Sequence, residues 1–114
     1  QERLDVNIAI INNGFLGMVR QWQEVFYERR YAGTPLLSPD FVQIAQAYGI
    51  HAQRVERRGD VAAAVQAARA HHGPSLIDFR VEQEDSVYPM VPAGNDLADL
   101  IRRPSPIVET GADA

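Results

Sequence analysis

The sequence contains no cysteine and no lysine. Without cysteine, disulfide frameworks, thiolate metal sites and cysteine nucleophiles are excluded. Without lysine, all 11 basic residues are arginine, set against 15 acidic residues for a net charge of -4. That usage reads as coding bias more than chemistry, although arginine matches carboxylate and phosphate geometry better than lysine does. An acidic balance argues against a nucleic-acid surface as the main function, because phosphate neutralisation needs a basic patch. Long apolar runs are also missing, and none approaches the length of a bilayer span, so neither nucleic acid nor membrane is an expected partner.

What is there is ordinary globular composition, 46% hydrophobic and 23% charged over 114 residues, enough for one small domain. Residues 6–11, VNIAII, form a β-branched run with little alternation, as expected of a strand buried on both faces in a parallel sheet. Met18, Val19, Trp22, Val25 and Phe26 recur at spacings of three and four, which predicts an amphipathic helix over 17–26. Residues 28–37, with Gly33 and Pro35, read as a loop. Ser38-Pro39 offers a cap and a first-turn proline for a helix carrying Phe41, Ile44, Ala45 and Tyr48, stopped by Gly49. A short strand over 50–56 and an alanine-rich helix over 61–70, capped by Asp60, follow. The strand at 75–81 leads into a proline-rich loop at 87–94 and a short helix at 96–101. Strands alternating with helices predict an α/β fold, a parallel sheet with flanking helices, here the C-terminal half of a doubly wound domain. Residues 1–103 belong to that unit, and the polar residues 104–114 are expected to form a disordered tail.

The junction Ile11-Asn12-Asn13-Gly14 leaves the first strand on two amides and starts a helix at once. In an open parallel sheet, ligands bind beyond the carboxyl ends of the strands. An asparagine oxygen is a hard neutral ligand of the kind Mg²⁺ accepts, Gly14 lets the backbone turn a carbonyl toward the same point, and a helix from Gly17 brings free N–H groups suited to phosphate oxygens. The other reading is a plain turn, since Asn-Gly is a common turn dipeptide.

Other residues carry weaker signals. Trp22 at helical spacing is either core or pocket. His71 and His72 are adjacent and cannot face one way, and His51 stands alone, so a histidine metal site is rejected in favour of a helix C-terminal role. Glu24 and Glu28 read as like charges on a solvated helix face, and Arg57-Arg58 as a solvated pair ahead of Asp60.

Asn12-Asn13 after an apolar strand resembles the closing half of the thiamine diphosphate (ThDP) motif, which opens with Gly-Asp-Gly. The runs LGMVRQWQ (16–23) and FYERRY (26–31), then PDFV (39–42) and VYPMVPAG (87–94), resemble the acetolactate synthase catalytic subunit. The resemblance covers nearly the whole chain to about Arg103 and implies a ThDP-binding, pyrophosphate-type domain. It implies a cofactor-binding stretch of Asn12, Asn13, Gly14, Phe15, Leu16, Gly17, Met18 and Val19. Asn13 would give Mg²⁺ a side-chain oxygen and Phe15 its main-chain carbonyl. Met18, Val19 and Trp22 would line the substrate pocket, Trp22 favouring 2-ketobutyrate as second substrate. The implied enzyme decarboxylates pyruvate and joins the two-carbon unit to pyruvate or 2-ketobutyrate, in branched-chain amino-acid biosynthesis. FAD, the Mg²⁺-binding aspartate and an activating glutamate would lie outside these residues, so no catalytic residue is assigned here and the chain alone is expected to be inactive. A homodimer or homotetramer, a small regulatory subunit and a cytoplasmic, bacterial location with the true N-terminus upstream are further implications. Tyr88 stands where many relatives have tryptophan, which keeps an aromatic. Glyoxylate carboligase shares an Asn-Asn-x-x-Leu-Gly run and is the nearest alternative, and a non-catalytic half-domain pairing through its open sheet edge is another.

Overall fold

Three short segments read as strands in the sequence, and all three become strands. The computed structural model describes residues 4–83 and 86–103, and the expected tail at 104–114 lies outside them. The elements run β1 (Asn7–Asn12), α1 (Gly17–Phe26), α2 (Phe41–Ala47), β2 (His51–Val55), α3 (Val61–Ala70) and β3 (Ser75–Arg80). The sheet is parallel, with order β1-β3-β2. Ile10 and Arg54 both lie opposite Asp78, which fixes the register from both sides.

β3 is therefore the central strand, and its first four residues are buried. β1, expected to be buried on both faces, is instead a largely exposed edge, with Ile11 68% exposed. Run composition marks a strand but not its place in the sheet, and the position between two neighbours falls to β3.

Side chains alternate between faces along each strand. One face carries Val55, Ile77 and Phe79, and α3 covers it with Ala64 and Ala68, small enough for the helix to lie close. The opposite face carries Leu76 and then, toward the carboxyl end, Asp78 and Arg80, beside Asn12 on β1 and Arg54 on β2. This second face turns from apolar to polar along its length, and α2 begins beside its polar half.

Two expected caps differ. Asp40, not Ser38, caps α2: its Oδ1 accepts from the N–H groups of Val42 and Gln43 at 3.0 and 3.1 Å. Asp60 does stand at the N-cap of α3 but gives it no side-chain hydrogen bond, its carboxylate pairing with Arg57 at 3.1 Å. Gly49 does end α2, at φ +71, where an L side chain would be strained. The helix expected at 96–101 contracts to a 3-10 turn, Leu97–Asp99, because Ile101 exchanges backbone hydrogen bonds with Met90.

Candidate functional site

β1 ends at the carboxyl edge of the sheet on two Asx turns in succession. The Asn12 side-chain oxygen accepts from the Gly14 N–H at 3.2 Å, and the Asn13 oxygen accepts from the Phe15 N–H at 3.1 Å. Gly14 sits at φ +72, the left-handed region that glycine enters without penalty. A Cβ on Gly17 would lie 3.2 Å from the Asn13 amide nitrogen, which places that amide against the start of α1. Leu16, at the N-cap, gives no side-chain bond to the helix. The asparagines make a turn, as one reading of the junction expects, and that turn faces a cavity. That cavity, of about 470 Å³, lies at the strand ends between Asn12, Asn13 and Gly14 on one side and Glu56, Arg80 and Glu82 on the other.

Below the cavity floor lies a polar network that sequence reasoning missed. Asp78 is fully buried. Its Oδ1 accepts from the Asn12 amide at 3.0 Å and its Oδ2 from the Arg54 Nε at 3.3 Å, and the Arg80 Nε pairs ionically with the same oxygen at 3.4 Å. Arg54 reaches on to the Asp40 carboxylate at 2.8 Å. The Arg54 hydrogen bond, followed by the Gln43 N–H, holds the Asp40 carboxyl below the usual carboxylate range, and Asp40 and Asp78 raise Arg54 in return. A buried carboxylate is tolerated only when paired in this way. The signal in the sequence was one charge inside an apolar strand, SLIDFR.

α1 is inverted relative to a core helix. Its buried residues are Arg20 and Gln21, while Met18, Val19 and Trp22 are 55%, 50% and 46% exposed. Trp22 is accordingly not core. Both buried polar side chains make specific contacts. The Arg20 guanidinium stacks over the Phe15 and Tyr31 rings at 5.1 and 4.6 Å. The Gln21 amide imitates a strand partner: it donates to the Val87 carbonyl at 2.6 Å and accepts from the Val87 N–H at 3.0 Å. Its nitrogen also lies 3.2 Å from the Met90 sulfur. Gln23 and the buried Thr34 hold the loop after α1 in the same manner, Thr34 donating to the Gln23 oxygen at 3.0 Å. The outward stripe then forms a second, apolar concavity of about 420 Å³, lined by Met18, Val19, Trp22, Gln23 and Tyr27.

The structure thus brings Asn12, Asn13 and Gly14 to one cavity and Met18, Val19 and Trp22 to another, with Phe15, Leu16 and Gly17 as the link between them. The loop at 87–94 docks on α1 through Gln21. Glu24 and Glu28 do not share a helix face: Glu28 lies past α1 at φ 53, and Glu24 pairs with Arg20 and Arg29 and accepts from Ser86. His51 is not alone either, since its ring stacks on His71 with centroids 4.8 Å apart. Among the described residues, no three His, Cys, Asp or Glu side chains gather as a metal site, and no helix is long and apolar enough to cross a membrane.

In open parallel sheets ligands bind beyond the carboxyl ends of the strands, where this turn lies, and the chain belongs to the thiamine pyrophosphate enzyme family, matching its C-terminal TPP binding domain over residues 1–79. Within that family it is similar to acetolactate synthases. It is 45% identical over 105 residues to the acetolactate synthase large subunit of Corynebacterium glutamicum, covering 87% of this chain and 17% of that one. It is 36% identical over 104 residues to the Escherichia coli acetolactate synthase isozyme 2 large subunit, covering 90% and 19%. Among solved structures, the thiamine diphosphate-dependent 4-hydroxybenzoylformate decarboxylase of Rhodococcus jostii RHA1 superposes with a TM-score of 0.63 at 30% identity, over 72% of this chain and 16% of that one. The chain therefore spans less than a fifth of the length of these relatives.

Proposed function

We propose that these residues supply the Asn-Asn half of a ThDP–Mg²⁺ site in an acetolactate synthase large subunit. The observation that carries this reading is the double Asx turn at the carboxyl end of β1, leading directly into the exposed Met18–Val19–Trp22 stripe. The donor set fits the group. The Asn13 oxygen accepts one backbone hydrogen bond and has a second lone pair for a cation. A neutral amide oxygen and a main-chain carbonyl, here that of Phe15, are ordinary Mg²⁺ ligands beside phosphate oxygens. When bound, ThDP supplies the nucleophilic and electron-accepting chemistry of 2-keto acid decarboxylation.

This chain's own residues then position and select. Asn12 holds the turn, and Asn13 and Phe15 would hold the metal. Met18 and Val19 offer an apolar wall that would exclude water beside a bound cofactor. Trp22, half-exposed beside them, presents a flat apolar surface suited to the extra methylene of 2-ketobutyrate over pyruvate, a difference of about 1–3 kcal/mol in such pockets. FAD, the activating glutamate and the metal-binding aspartate belong in this reading to the rest of a longer polypeptide, assembled as a homodimer or homotetramer, with a small regulatory subunit as a further partner. Biosynthesis of branched-chain amino acids is the setting that follows.

The test is product analysis on the full chain carrying these residues, supplied with ThDP, Mg²⁺ and FAD. Pyruvate should give 2-acetolactate, and added 2-ketobutyrate should give 2-aceto-2-hydroxybutyrate. Turnover of glyoxylate without turnover of pyruvate would make the protein a different carboligase and overturn the assignment.

A further inference from the structure

We propose that Asp78 is the positioning residue for the Asn12–Asn13 turn, an inference that rests on the ThDP–Mg²⁺ reading of that turn. Asp78 lies on the central strand, 66 residues from Asn12 along the chain, and its carboxylate is fully buried. Flanked by Ile77 and Phe79, its position in β3 could be filled by an aliphatic side chain at far lower desolvation cost.

The use of a carboxylate follows from the symmetry of the asparagine amide. An amide has one accepting and one donating end of nearly equal size, so shape alone does not orient it. A carboxylate accepts only. With Asp78 Oδ1 at 3.0 Å, the Asn12 nitrogen must face the strand, and its oxygen is thereby aimed at the Gly14 N–H. The flipped amide would set oxygen against carboxylate oxygen and an N–H against an N–H. Asp78 thus selects one of two Asn12 orientations. Closing the turn from Asn12 to the Gly14 N–H in turn constrains the backbone of Asn13, which lies between them.

The carboxylate is itself held from the other side. Its Oδ2 takes Arg54 and Arg80, and Arg54 is anchored on Asp40 at the start of α2. Five side chains, Asp40, Arg54, Asp78, Arg80 and Asn12, therefore run across all three strands to the turn. Partners of metal- and cofactor-holding groups act in this way elsewhere, and their loss costs about 10- to 100-fold in affinity.

The experiment uses the full chain and measures ThDP binding in Mg²⁺ by calorimetry, alongside the KM for pyruvate at saturating ThDP. In Asp78→Asn, whichever way the new amide turns, one of its N–H groups meets a donor of Asn12 or of the two arginines. The dissociation constant for ThDP should rise about 10- to 100-fold, while the pyruvate KM at saturating cofactor stays near the wild-type value. Asn12→Ala should show a similar loss, and the double variant should be no weaker than the worse single variant, since both remove one interaction. Additive losses, an unchanged ThDP affinity in Asn12→Ala, or an Asp78→Asn protein that does not fold would each overturn the positioning role. Wild-type protein that binds no ThDP would instead remove the cofactor reading itself, a result visible before any variant is made.

Discussion

Replacing Gln21 with leucine tests whether the loop at 87–94 is held by a side-chain amide acting as a strand. Gln21 is 2% exposed and makes two good hydrogen bonds to the backbone of Val87, at 2.6 and 3.0 Å, plus a weak one to the Met90 sulfur. Each neutral bond contributes about 1 kcal/mol net. Leucine keeps the volume and loses all three. Val87 is itself exposed, so water can recover part of the loss at its N–H and carbonyl. The docked state should therefore weaken by about 1–2 kcal/mol, a factor of about 5–30 in the opening equilibrium. Hydrogen–deuterium exchange reads this directly. The Val87 amide should exchange faster by that factor, while Leu76 to Asp78 on the central strand should be unaffected. Unchanged protection at Val87 would mean that the loop is held by something other than Gln21.

Three further outcomes follow from the same geometry. Gly14→Ala places a Cβ at a φ of +72 and 3.3 Å from the Gln83 amide nitrogen, so it should destabilise the turn by about 1 kcal/mol or more, read as a lower urea midpoint. Asp40 has its carboxyl lowered by the Arg54 hydrogen bond and the Gln43 N–H, so the unfolded chain binds the proton more readily. Its contribution is present above about pH 4 and lost as pH falls through the lowered folded value. Urea midpoints should drop on acidification below that point, and Asp40→Asn should flatten the drop. Trp22, 46% exposed, should be quenched readily by acrylamide, and Trp22→Ala should lower the preference for 2-ketobutyrate over pyruvate in competition assays.

Periodicity and punctuation carried the local structure well. α1 and α3 lie at the residues their patterns predict, and Gly49 stops α2, because helix bounds depend on neighbours a few residues away. Long-range partners were not legible. The apolar stripe of α1 was evident from its spacing, but spacing cannot say which stripe is buried; that was decided by Gln21 finding Val87 and Arg20 finding two rings. β1 reads as a core strand by composition and lies at an edge because β3 pairs on both sides. The cap hydrogen bonds differ for a related reason, since the Asp60 carboxylate was taken by Arg57 and Asp40 displaced Ser38. At the site, Asn12-Asn13 and Gly14 stood out as a strand-end junction. Asp78 did not, because its partners Asn12 and Arg54 lie 66 and 24 residues away in sequence.

The most direct test of the account is calorimetric titration of ThDP into the full chain, with Mg²⁺ and with EDTA, for wild type and Asn13→Ala. Wild-type binding should require Mg²⁺, and Asn13→Ala should bind more weakly, with more of the loss recovered as Mg²⁺ is raised. ThDP binding of equal strength in EDTA, or an Asn13→Ala protein that binds ThDP as the wild type does, would contradict the ThDP–Mg²⁺ reading.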